Sequence, residues 1–74
     1  MWAMFSRLGD LKYLGSFVAQ DRARGAVKIQ GEWFRKRDGR PAKKGSSWRY
    51  IKREDALSER ERALVALGPI GVVQ

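Results

Sequence analysis

The chain has 74 residues, no cysteine and no histidine, and 16 basic against 8 acidic side chains, for a net charge of +8. A chain this short holds one domain and buries only about 60% of the surface its unfolded form exposes, so its stability is marginal. Without Cys or His there are no disulfides, no thiolate chemistry, no usual zinc ligand set and no usual general base. A reducing cytoplasm is the expected compartment. The apolar N-terminus is interrupted by Arg7, Asp10 and Lys12, so neither a signal peptide nor a membrane helix is expected there.

In chain order, Trp2, Phe5, Leu8, Leu11, Leu14, Phe17 and Val18 recur at three and four residues, the spacing of one face of a helix. Gly9 and Gly15 each cost a helix about 1 kcal/mol relative to Ala. The expected division is therefore a loose segment before Leu11 and a first helix from about Leu14 to Arg24, ended by Gly25. Residues 26–37 fit two periods. With period two, Val27, Ile29, Gly31 and Trp33 share one face of a strand. With period 3.6, Ala26, Ile29, Trp33 and Phe34 turn inward and Lys28, Glu32, Arg35 and Lys36 outward. The β-branched residues and Gly31 favour the strand, and the Glu, Arg and Lys run tolerates the helix.

Residues 38–47, "DGRPAKKGSS", form a loop on either reading, since Asp38-Gly39 and Pro41 supply turn conformations. "WRYIKR" follows with strand composition and alternation of Trp48, Tyr50 and Lys52 against Arg49, Ile51 and Arg53. Ser58 and Glu61 have capping-box spacing, and Gly68-Pro69 is a helix stop. The helix between them places Leu57, Leu64 and Leu67 on one apolar face. The tail "IGVVQ" is too short for an element of its own.

The charge has an address. Residues 35–53 carry nine basic groups against Asp38 alone, which equals the whole net charge, and the other 55 residues balance to zero. A stripe of that density is the electrostatic footprint of a phosphate-backbone binder, because each neutralised phosphate releases condensed counterions. A solubilising surface is the plainer account of the same charges. Neither a Walker loop nor a G-x-G-x-x-G is present, no carboxylate pair stands in an evident pocket, and Ser46 and Ser47 have no histidine to activate them. Binding rather than catalysis is therefore expected, with no cofactor or metal. Were residues 26–37 helical, Lys28, Glu32, Arg35 and Lys36 would enter a major groove, with Arg reading guanine and Glu accepting from cytosine. Arg37, Arg40, Lys43, Lys44 and Arg49 would then flank or form a wing on the backbone. Trp33, Trp48 and Tyr50 are expected as core rather than as base-stacking surfaces.

The spacing of Leu14, Phe17, Ala19, Arg22, Trp33, Arg35, Pro41, Tyr50, Glu54 and Ala56 resembles the phage lambda-type excisionases, and "WRYIKRED" resembles the wing-to-helix exit of related winged helices. The resemblance spans residues 14–56. It implies an α+β winged-helix DNA-binding domain with two short helices, a β-hairpin wing and a C-terminal helix. The division implied is an extension at 1–10, the winged helix at 11–57, and a C-terminal helix and tail at 58–74. Trp33 would anchor the core, Arg35 would face the groove, Pro41 would turn into the wing and Tyr50 would close it. The implied function is an accessory factor in prophage or mobile-element excision at the host nucleoid. It would bind double-stranded DNA cooperatively, bend it and assist a tyrosine integrase. The alternative is a small phage or mobile-element protein whose hairpin and helix bind and inhibit a host protein, such as an antirestriction, anti-CRISPR or polymerase-binding factor.

Overall fold

The computed structural model describes residues 1–8 and 10–69, with the side chains of Arg7 and Leu8 left aside. Among the described residues, six strands form two antiparallel sheets of three. In sheet A, β1 (Trp2–Leu8) lies between β2 (Asp10–Phe17) and β6 (Tyr50–Arg53). In sheet B, β4 (Ala26–Ile29) lies between β3 (Asp21–Ala23) and β5 (Glu32–Arg35). A short 3₁₀ turn (Glu54–Ala56) leads to the only α-helix among the described residues, α1 (Glu59–Leu67).

Strand β1 is buried on both faces. Met4 points to sheet B and packs with Val27, Ile29, Phe34 and Ile51, while Ala3 and Phe5 point the other way into a cluster with Tyr13. Leu57, Leu64 and Val65 cover that second cluster from the helix side. Sheet A is thus the middle of three layers, with sheet B on one side and α1 on the other. Each fully buried side chain of this size contributes about 1.5 to 3 kcal/mol. A bulge makes the double burial possible in β2: Met4 faces Gly15 and Phe5 faces Tyr13, leaving Leu14 as the extra residue. The alternation changes phase there, so Tyr13 joins the helix-side cluster and Phe17 packs on the sheet B side.

The expected winged helix is not what the chain forms. There is no helix from Leu14 to Arg24 and none over residues 26–37, and both stretches are strands and turns. The helical spacing of Trp2 to Val18 arises because β1 presents apolar groups to two layers and β2 shifts phase at its bulge. Neither strand shows a clean period of two. Residues 2–8, expected as part of a loose segment, form the central strand of sheet A. In residues 26–37 the decisive pair is Gln30-Gly31. Both have positive φ, 52° and 76°, the condition for a two-residue hairpin turn between Ile29 and Glu32. That turn resets the alternation, so Phe34 rather than Trp33 joins Val27 and Ile29 in the core.

Two expected elements are present. Tyr50–Arg53, the last four residues of the strand expected over 48–53, is a strand, and Ser58 caps α1 with both capping-box hydrogen bonds formed. Leu67 is exposed instead of sharing the apolar face, where Val65 takes its place. The tail at 70–74 lies outside the described residues.

After β5 the chain turns through residues 36–39 and runs back along it. The Arg35 N–H donates to the Arg40 carbonyl and the Ala42 N–H to the Trp33 carbonyl, with Phe34 opposite Pro41. Residues 40–42 therefore extend sheet B by a fourth short segment. Gly39 joins this hairpin to sheet A: its carbonyl accepts from the Ile51 N–H at 2.7 Å, and its φ is 72°. A Cβ at Gly39 would overlap the Ile51 carbonyl oxygen, whereas a Cβ at Gly25, with φ of 73°, would meet nothing. Gly39→Ala is expected to destabilise the fold by about 3 kcal/mol or more, from backbone strain together with overpacking. Gly25→Ala should cost only about 1 kcal/mol, from strain alone. Urea unfolding of the two variants checks the difference, and equal losses would show that the junction at Gly39 is not tight.

Candidate nucleic-acid interface

The outer face of sheet B is set by strand alternation. Across neighbouring segments, Asp21 faces Lys28, Lys28 faces Trp33, Ala26 faces Arg35, and Arg35 and Trp33 stand beside Arg40 and Ala42. Their inward-facing neighbours Val27, Ile29 and Phe34 are fully buried. Trp33 is therefore held outward, 37% exposed, in the middle of a sheet hydrogen-bonded on both sides. The Lys28 ammonium lies 6.0 Å from the centre of its ring, a cation–π distance.

Basic side chains surround this face. At one end, the hairpin loop carries exposed Lys36 and Arg37, and the Lys36 N–H donates to the Gly25 carbonyl, bringing the Arg24-Gly25 turn alongside. In the middle stands exposed Arg40. At the other end, Lys43 joins Gln30, Gly31, Glu32, Trp33 and Ala42 around a cleft of about 300 Å³, and Lys44 follows it. The base of the loop is fixed to sheet A: the Ser6 hydroxyl donates to the Ser47 carbonyl at 2.7 Å, the Arg49 N–H donates to the Phe5 carbonyl at 2.7 Å, and Trp48 packs on the core. The exposed lysines thus project from an anchored loop.

Not every basic residue is free. The Arg35 guanidinium makes two hydrogen bonds to the Asp38 carboxylate, at 3.2 and 2.9 Å, and the Arg40 N–H donates to the same carboxylate at 3.0 Å. The Arg40 N–H, followed by Arg35, holds Asp38 below the usual carboxylate range. Asp38 stays ionised and shapes the loop, at the cost of occupying Arg35. Lys52 is paired with Glu61 at 3.0 Å, and Arg53 approaches Asp55 at 3.8 Å and the Trp2 ring at 5.7 Å. Lys36, Arg37, Arg40, Lys43, Lys44 and Arg49 make no ion pair among the described residues.

Of the nine residues expected to contact DNA, on the groove-reading face or the wing, Lys28, Arg35 and Arg40 share the outer face of sheet B, with Lys36 and Arg37 at one end and Lys43 and Lys44 at the other. Two do not join them. Glu32 lies opposite Ile29 on the inward side, and its Oε2 is buried without a hydrogen-bond partner. Arg49 begins the approach to β6 on sheet A. Trp33, expected as a core anchor, is the outward aromatic, while Trp48 and Tyr50 pack against the two core clusters as expected. The signal that identifies Trp33 is Gln30-Gly31, because a two-residue turn places Phe34 rather than Trp33 in phase with Val27. Among the described residues, no three Asp or Glu side chains gather where a metal ion would be held, and no helix is long and apolar enough to cross a membrane. No family model, curated protein or solved structure matches the chain.

The pairing of Lys52 belongs to a network that docks α1. The Glu61 carboxylate is nearly buried and accepts from the Tyr50 hydroxyl at 2.5 Å, the Lys52 ammonium at 3.0 Å and the Ser58 N–H at 2.8 Å. Burial alone would raise its pKa. The Ser58, Tyr50 and Lys52 donors outweigh burial and bring it from 4.5 to about 2. Burial, followed by the hydrogen bond to Glu61, pushes the Tyr50 hydroxyl well above its usual value. A carboxylate depressed in this way adds stability at every pH above 4.5 and loses it as pH falls toward 2. The loss amounts to about 3 kcal/mol. Acid titration of the unfolding free energy should show that fall, and Tyr50→Phe, which removes one donor, should reduce it. An identical acid profile in the variant would contradict the assignment.

Proposed function

We propose that the protein binds nucleic acid, holding the phosphate backbone along sheet B and its two loops, and carries out no chemistry itself. The observation that carries this reading is the gathering of Lys36, Arg37, Arg40, Lys43 and Lys44, none of them ion-paired among the described residues, around one sheet face. A solubilising surface needs charges dispersed and mixed in sign. Here the excess lies in one quarter of the chain, and its acidic member, Asp38, is spent on shaping the hairpin loop.

The role implied by the excisionase resemblance depended on a recognition helix over residues 26–37. With strands and a turn there, the proposal retains backbone binding, and assistance to an integrase rests on residue spacing alone. Contact with a host protein is a second reading. It is favoured by β3, which among the described residues pairs only with β4 and leaves an exposed sheet edge suited to strand addition.

Binding to a labelled oligonucleotide should weaken steeply with salt between about 50 and 200 mM, by roughly a thousandfold for a duplex and roughly three hundredfold for a single strand if six phosphates are contacted. Replacing Lys43 and Lys44 together by Ala should weaken binding to all sequences alike and reduce the steepness by roughly two counterions' worth. Fluorescence anisotropy across a salt series measures both effects. Undetectable or salt-insensitive binding would overturn the proposal and leave the host-protein reading.

A further inference from the structure

The proposed binding face has a shape as well as a charge, and resting on that reading, we infer that its ligand is single-stranded nucleic acid, with Trp33 stacking on an unpaired base. Four segments lie side by side across the face: β3, β4, β5 and residues 40–42. At the usual interstrand spacing they span about 14 Å between outer backbones before side chains are added. A duplex major groove is about 12 Å wide and a minor groove about 6 Å, so neither admits a sheet of this width. Laid flat, the whole face meets a duplex along its outer phosphates, where Trp33 would have nothing to stack on. A single strand presents the π-faces of its bases, and a basic sheet with an outward aromatic is the arrangement that takes them.

Three features of Trp33 fit that task. It stands on a strand hydrogen-bonded on both flanks, so its backbone is fixed before binding. Lys28 lies over the ring, and the cleft beside the ring runs to Lys43. A base seated on Trp33 therefore has cations within reach on two sides, with Arg40 on the adjacent segment. The ring is also free of the core: Val27, Ile29 and Phe34 fill the inner face of the sheet without it. A purely structural role for the pair, as a cross-strand contact steadying the hairpin, would show in stability and not in ligand preference.

The 74-residue chain and its Trp33→Ala and Trp33→Phe variants are compared on a labelled oligothymidine of about 20 nucleotides and on a duplex of about 20 base pairs, at equal salt. The single strand should bind at least about tenfold more tightly than the duplex, in line with base–aromatic stacking. It should quench part of the tryptophan fluorescence. Trp33→Ala should lose about tenfold on the single strand, lose that quenching, and keep both its duplex affinity and its salt dependence. Trp33→Phe should retain most of the single-strand affinity while losing the ligand-induced quenching, and that loss, absent if the base does not sit on Trp33, decides the matter should the alanine variant fold poorly. Equal affinity for the two ligands, or single-strand binding unchanged in both variants, would overturn the inference while leaving salt-dependent backbone binding in place. Binding to neither ligand would overturn both.

Discussion

Everything in this fold depends on β1 being buried from both sides. A 74-residue chain cannot build two independent cores, and here one strand serves two: Met4 belongs to the layer shared with sheet B, and Ala3 and Phe5 belong to the layer under α1. The β2 bulge at Leu14 and the pairing of β6 with β1 follow from that requirement, since each neighbouring strand must supply side chains to both layers. The helix is held by a polar joint as well as by apolar contact. Glu61, nearly buried, is acceptable there because three donors converge on it.

With the core formed around sheet A, sheet B needs only its inner face for stability, and its outer face is left for the proposed contact with nucleic acid. Gly39 connects these two roles. Its carbonyl ties the hairpin to β6, and the loop it closes is shaped by Asp38, which takes up Arg35 and leaves Lys36, Arg37 and Arg40 exposed. The sequence that stabilises the hairpin thus also determines which cations remain available.

The legibility of the sequence divides along physical lines. The C-terminal helix could be read because a capping box and a stop are local signals, satisfied within a few residues. The strand at Tyr50 to Arg53 and the turn at Asp38-Gly39 could be read for the same reason. The N-terminal hairpin could not, because a strand buried on both faces loses its alternation and a bulge shifts what remains. Residues 26–37 held both answers until Gln30-Gly31 is taken as a turn, after which Trp33 and Phe34 exchange faces. The resemblance to winged-helix excisionases rested on scattered single residues, and such spacing is compatible with more than one fold. The concentration of charge was legible from its positions along the sequence, but its division into paired and unpaired cations depends on where Asp38 and Glu61 fall in space.

The central claim is that a nucleic-acid strand lies on the outer face of sheet B. It is tested most directly by following backbone amide and indole N–H resonances during titration with a short single-stranded oligonucleotide. The account requires shifts at Lys28, the Trp33 indole, Arg40 and Lys43, with α1 from Glu59 to Leu67 silent. Shifts concentrated on α1 or on the β2 edge, or none at all, would contradict it.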